Sequence, residues 1–129
     1  IKSDATDSDK EYYLEKIARE MDLYALRLGS KKIRARSILI GGGTPTFLAP
    51  SQLERFLQDL TSKIDLTGCD QFSYDVDPST LLGPEGEERL RIMRSYGVNR
   101  LTIGAQSFDD NILKKMNRAH TAREAIESM

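Results

Sequence analysis

The fold this sequence predicts is α/β: a partial (β/α) barrel of about three parallel strands joined by crossover helices, with an open sheet as the alternative. Two observations predict it. Segments of helical periodicity alternate with short apolar strands in the order α-β-α-β-α-β-α-α, the pattern of parallel strands linked by helices. Each strand segment also ends in glycine or polar residues, as strands do where a parallel sheet offers its carboxyl rim to a ligand. With 129 residues the chain holds at most one domain and can bury a core, yet a complete barrel takes about 250 residues.

The first helix is expected over residues 8–28. Ser8-Asp9-Lys10-Glu11 reads as a capping box, and Tyr13, Ile17, Met21, Tyr24 and Leu28 recur at spacings of three and four. Gly29 stops it. A basic connector, 31–36, leads into the strand 37–40 and a glycine loop. A second capping box, Ser51-Gln52-Leu53-Glu54, opens a helix whose buried stripe is Leu53, Phe56, Leu57, Leu60 and Ile64. Residues 71–76 alternate around Phe72, Tyr74 and Val76 and form the second strand, closed by Asp77-Pro78. A loop over 79–86 precedes a third helix at 87–96, ended by Gly97. Residues 98–104 supply the third strand. Two short helices follow, over 109–116 and 121–129, the latter opened by Thr121-Ala122-Arg123-Glu124.

Composition narrows the function. Net charge is −1 with both signs interspersed, which gives no electrostatic footprint for a nucleic acid or a membrane surface. No apolar run approaches the roughly 18 residues of a membrane span and no signal segment opens the chain, so a cytoplasmic protein is expected. Cys69 is the one cysteine; it lies in a connecting stretch and reads as a bystander thiol.

The chemistry is concentrated at the strand ends. Gly41-Gly42-Gly43-Thr44 follows the first strand, Asp75 and Asp77 the second, and Gly104, Gln106 and Ser107 the third. In a parallel sheet these lie side by side, so residues distant in sequence converge on one hollow. The glycine run is no Walker loop, for it lacks Gly-Lys-Ser/Thr. A dinucleotide fingerprint starting at Gly41 would need glycine at Thr46. Backbone recognition of an amino or carboxylate group fits it better.

Four motifs, Gly41-Gly42-Gly43-Thr44-Pro45-Thr46, Asp75-Val76-Asp77-Pro78, the run 97–108 around Gly104-Ala105-Gln106-Ser107, and Asn117-Arg118-Ala119-His120-Thr121, resemble in order and spacing the oxygen-independent coproporphyrinogen III oxidase family of radical S-adenosylmethionine (SAM) proteins. The resemblance covers residue 12 to the end. It implies a barrel of the radical SAM type, with SAM held by Gly42, Gly43 and Thr44 at its amino group and by Asp75, Gln106 and Arg118. Asp75 stands where the family usually has glutamate, one methylene longer. Gln106 suits the ligand's hydroxyls and Arg118 a carboxylate. His120 matches an Arg-x-His-Thr form of the last motif that resembles the heme chaperones, and is expected to lead into the last helix rather than to catalyse.

The resemblance further implies a [4Fe-4S] cluster on a Cys-x-x-x-Cys-x-x-Cys loop ahead of the first helix. That loop is not among these residues and Cys69 cannot replace it. The expectation is therefore a central fragment of one radical SAM core domain, inactive alone, whose cluster loop, later strands and carboxyl-terminal region lie elsewhere in a longer parent. In that parent the implied reaction is reductive cleavage of SAM to a 5′-deoxyadenosyl radical, fed by an electron donor such as flavodoxin or ferredoxin and directed at a small-molecule substrate. The founding reaction is coproporphyrinogen III oxidation. Methyl or methylene transfer by a methyltransferase or cyclopropanase, heme delivery by a chaperone, and a non-catalytic scaffold are the alternatives.

Overall fold

Alternation along the strands decides which side of the sheet is buried. In the segment 71–76, Phe72, Tyr74 and Val76 point to one face and Ser73 and Asp75 to the other, because successive residues of a strand face opposite ways. The computed structural model describes residues 5–29 and 32–129. Its main sheet consists of β2 (Ser37–Ile40), β4 (Gln71–Val76) and β5 (Arg100–Ile103), all parallel in the order β2-β4-β5. The register sets Ile38 beside Phe72, Ile40 beside Tyr74, and Asp75 beside Thr102. Two-residue strands β1 (Ile33–Arg34) and β3 (Ile64–Asp65) form a separate parallel pair. Part of the expected basic connector is thus β1, while Ser30 and Lys31 lie outside the described residues.

Helices α1 (Asp7–Arg27), α2 (Pro50–Lys63) and α3 (Gly83–Ser95) run ahead of β2, β4 and β5 respectively; α4 (Asp110–Lys115) and α5 (Ala122–Glu127) follow β5. Ile38, Phe72, Tyr74 and Val76 form one core with Leu53, Phe56, Leu57 and Leu60 of α2 and Ile92 and Met93 of α3. The α2 stripe is buried as its spacing predicts through Leu60; Ile64, expected to continue it, is buried too but lies past the end of the helix and opens β3.

Several boundaries differ from the sequence reading, each for a local reason. The capping box of α1 is Thr6 with Asp9, not Ser8 with Glu11: Asp9 N–H donates to Thr6 Oγ1 and Thr6 N–H to Asp9 Oδ2. The buried side of α1 is also turned in part: of the expected stripe Ile17 and Met21 pack against the core, but Leu14 and Ala25 are the residues fully inside and Tyr13, Tyr24 and Leu28 are half or more exposed. Pro50 rather than Ser51 begins α2, where a proline's missing N–H loses nothing, and Gln52 Oε1 accepts from Ala49 N–H at 3.1 Å. Residues 79–86 are not one loop. A 3₁₀ turn (Pro78–Thr80) leads to α3, which begins at Gly83, four residues before the expected start. Gly97 (φ +92°) closes α3 through bonds from Gly97 N–H to the Arg94 carbonyl and from Val98 N–H to the Met93 carbonyl, the double-bonded left-handed cap. β5 is correspondingly shorter than the segment 98–104.

Candidate functional site

The carboxyl ends of β2, β4 and β5 are neighbours, so their loops meet on one rim. A pocket of about 220 Å³ there is lined by Gly43, Thr44, Pro45, Asp75, Val76, Asp77, Thr102, Gly104, Gln106 and Arg118. Of the six residues singled out from sequence, Gly43, Thr44, Asp75, Gln106 and Arg118 line it. Gly42 lines a neighbouring apolar hollow of about 230 Å³ between α1 and the glycine loop. Ser107 is turned to its own loop, accepting from Asp109 N–H at 3.1 Å.

Each tip is held by a different device. Gly42 and Gly43 take left-handed φ of +82° and +59°, which turn the chain sharply after β2. Gly41 serves another need: a Cβ there would stand 2.5 Å from Asp75 Oδ2, so the first glycine makes room for a carboxylate of the same protein and not for a ligand. The loop is then anchored by Thr46, fully buried, whose Oγ1 accepts from Asp77 N–H at 3.3 Å and lies 2.6 Å from Thr80 Oγ1. Beneath it Tyr74 donates to the Pro45 carbonyl at 3.5 Å, and burial pushes its phenol pKa far up. A 3₁₀ turn (Pro45–Phe47) carries the chain on towards α2.

Asp77 closes β4 and caps the next turn, accepting from the backbone N–H and hydroxyl of Ser79 at 3.0 and 2.6 Å. Its other oxygen lies 3.8 Å from the Arg118 guanidinium. Arg118 reaches back to the rim because Asn117, left-handed at φ +53°, ends α4 with bonds from Asn117 N–H to the Lys114 carbonyl and from Arg118 N–H to the Leu113 carbonyl. At the third tip Gln106 is itself left-handed (φ +61°), a conformation costing about 1 kcal/mol outside glycine and typical of constrained functional positions. Gly104 leaves space for its amide, 3.3 Å from where a Cβ would stand.

Two supporting residues escape the sequence reading. Thr46 lay in the glycine motif without a role. Arg89, buried in α3, donates to the Leu48 and Thr80 carbonyls at 3.0 and 3.3 Å and pairs with Glu85, tying the loops after β2 and β4 together. A charged residue on the apolar face of a predicted helix is the only signal that could have pointed to it.

The pocket therefore presents two carboxylates, one guanidinium, a glutamine amide and glycine-loop backbone, a set suited to a zwitterionic amino-acid group. It does not fit a metal cluster. Among the described residues no group of three histidine, cysteine, aspartate or glutamate side chains could hold a metal. Cys69 precedes β4, so it lies at the end of the sheet opposite the rim.

Parallel strands joined by crossover helices, with a polar pocket at their carboxyl tips, define an α/β protein. A family model described as the Radical SAM superfamily matches residues 3–129, and the chain belongs to that superfamily. Similar proteins include the heme chaperone HemW of Lactococcus lactis subsp. lactis, 31% identical over 91% of this chain and 28% of the relative. The oxygen-independent coproporphyrinogen III oxidase of Pseudomonas aeruginosa is 30% identical over 87% of this chain and 24% of its own. Among solved structures, the coproporphyrinogen III oxidase HemN of Escherichia coli superposes with a TM-score of 0.75 at 25% identity, covering 92% of this chain and 26% of that one. The chain thus spans less than a third of the curated relatives it matches. No helix among the described residues is long and apolar enough to cross a membrane.

Proposed function

We propose that this chain is the SAM-holding part of a radical SAM enzyme core, coproporphyrinogen III oxidase-like in the whole protein. The observation that carries the reading is charge complementarity on the rim. Asp75, Asp77 and Arg118 sum to −1, and SAM carries an ammonium, a carboxylate and a sulfonium, summing to +1. Arg118 is the only guanidinium at the pocket and suits the carboxylate. Asp75 and the Gly43-Thr44 backbone suit the ammonium. Gln106, able to donate and to accept, suits the ribose hydroxyls.

When SAM is bound, it supplies the adenosyl group on which radical chemistry depends, and the protein's work is to bind, orient and exclude water. An iron–sulfur cluster has no ligands among the described residues, so no step is derived through one. The wider reading, with a cluster on a cysteine loop outside these residues, a flavodoxin or ferredoxin donor, a small-molecule substrate and a cytoplasmic setting, rests on family resemblance. So does methyl or methylene transfer. A heme-chaperone role has its own support in the Arg118-Ala119-His120-Thr121 motif and in the HemW relatives.

Calorimetric titration of SAM tests the site. In the whole protein, Arg118→Ala and Gln106→Ala are each expected to weaken binding by about 1–3 kcal/mol, the cost of leaving a buried polar partner unmet. Wild-type affinity in both variants would overturn the assignment. In the whole protein, substrate-dependent 5′-deoxyadenosine release under anaerobic reduction separates the oxidase-like reading from a chaperone.

A further inference from the structure

His120 is the only histidine of the chain, and its side chain is fully buried behind the rim. Its Nε2 lies 3.0 Å from the Ala105 carbonyl, which can only accept, so Nε2 carries a hydrogen. That bond holds the peptide leading into the left-handed Gln106. The other ring nitrogen has no partner: Nδ1 is the one buried side-chain nitrogen or oxygen without a hydrogen bond among the described residues. It faces Asp77 Oδ1 at 3.8 Å, while Asp77 Oδ2 lies 3.8 Å from Arg118. A buried polar atom left unmet calls for an explanation, and here it stands beside a carboxylate already shared with a cation.

We propose that His120 is a positioning residue that relays carboxylate capture to the rim: when a ligand carboxylate draws Arg118 from Asp77, Nδ1 takes a proton from solvent and replaces Arg118 as the partner of Asp77. The balance is simple. One proton passes from buffer to Nδ1, no covalent bond between heavy atoms changes, and the imidazolium keeps Nε2–H on Ala105. The charged groups around the ring are Asp77 from the tip of β4, Arg118 from the turn after α4, and Glu124 of α5. The Glu124 carboxyl is held below its usual range first by the Thr121 backbone N–H and then by the Thr121 hydroxyl. Glu124 is engaged with Thr121 and stays so, which leaves Asp77 as the group whose partner changes.

The inference rests on the SAM reading for its ligand but not for its test. Because the chain has a single imidazole, its ¹⁵N spectrum at pH 7 reports Nδ1 directly. Nδ1 is expected at the unprotonated, pyridine-type position in the free wild-type chain and at the protonated, pyrrole-type position with saturating SAM. Without any ligand, Arg118→Gln and Arg118→Met are each expected to produce the same shift, and adding Asp77→Asn to either is expected to reverse it. A resonance protonated from the start, or unmoved in both folded Arg118 variants, overturns the relay. A wild-type chain that does not bind SAM overturns the proposed ligand instead, and the ligand-free variants then decide the relay alone.

Discussion

At the scale of single residues, the rim is a set of mutual accommodations. Gly41 is glycine because Asp75 occupies the space a side chain would fill, so Gly41→Ala displaces the carboxylate while leaving the apolar core untouched. SAM affinity is expected to fall by about 1–3 kcal/mol with a much smaller change in stability, measured by titration beside thermal unfolding. Arg89 is a different case. It donates to carbonyls of two loops at once, and Arg89→Lys keeps the charge but loses the fork that reaches both. A destabilisation of about 2–3 kcal/mol in urea unfolding is expected, because buried carbonyls lose their donor. Thr46, Asp77 and His120 show why roles at this scale were only partly legible. A sequence displays the residue types, but the partners that tie the rim together, Asp77 for Thr46, Arg118 for Asp77 and Ala105 for His120, lie more than ten residues away and are found only when the loops are brought together.

At the scale of elements, caps and packing explain where helices begin and end. Thr121 and Glu124 form the box expected from the sequence: Thr121 N–H donates to Glu124 Oε2 at 2.7 Å and Glu124 N–H to Thr121 Oγ1 at 3.2 Å. Thr121→Ala is expected to cost about 1 kcal/mol and to fray α5, visible as faster amide exchange over Ala122–Glu127. The start of α3 rests on Gly86. A methyl there would meet the Leu81 carbonyl at 2.0 Å, and a backbone oxygen cannot step aside as a flexible side chain can. Gly86→Ala is therefore destabilising, by about 1–3 kcal/mol, although alanine is the better helix former. That contact also accounts for the missed boundary. Gly83, Pro84 and Gly86 look like loop residues, yet Pro84 falls in the first turn, where proline is tolerated, and Gly86 is demanded by the turn that packs on it.

At the scale of the whole molecule, stability follows the protonation of groups the fold has paired or buried. Asp9 and Glu124 are held below the usual carboxyl range by their capping hydrogen bonds, and Asp65 by the Thr67 backbone N–H. A depressed folded pKa contributes stability that is present above the unfolded value and lost as pH falls through the folded one. The melting temperature is thus expected to decline below about pH 4, and the Thr121→Ala variant to show less of that decline. Tyr74 works in the opposite direction. Burial raises its pKa, so its contribution is complete below the unfolded value and is lost as pH rises beyond about 10. Circular dichroism melts across the pH range check both limbs.

The sequence by itself determined the class of fold, the order of its elements and the residue types on the rim. Period-two and period-3.6 patterns are local consequences of backbone geometry, and glycine runs and capping boxes announce turns within a few residues. Tertiary structure alone decided which face of α1 is buried, that Gly41 yields to Asp75, that Arg89 clamps two loops, and that His120 stands between Ala105 and Asp77. Those are contacts between segments distant along the chain, set by how the sheet and helices pack, and no local spacing encodes them.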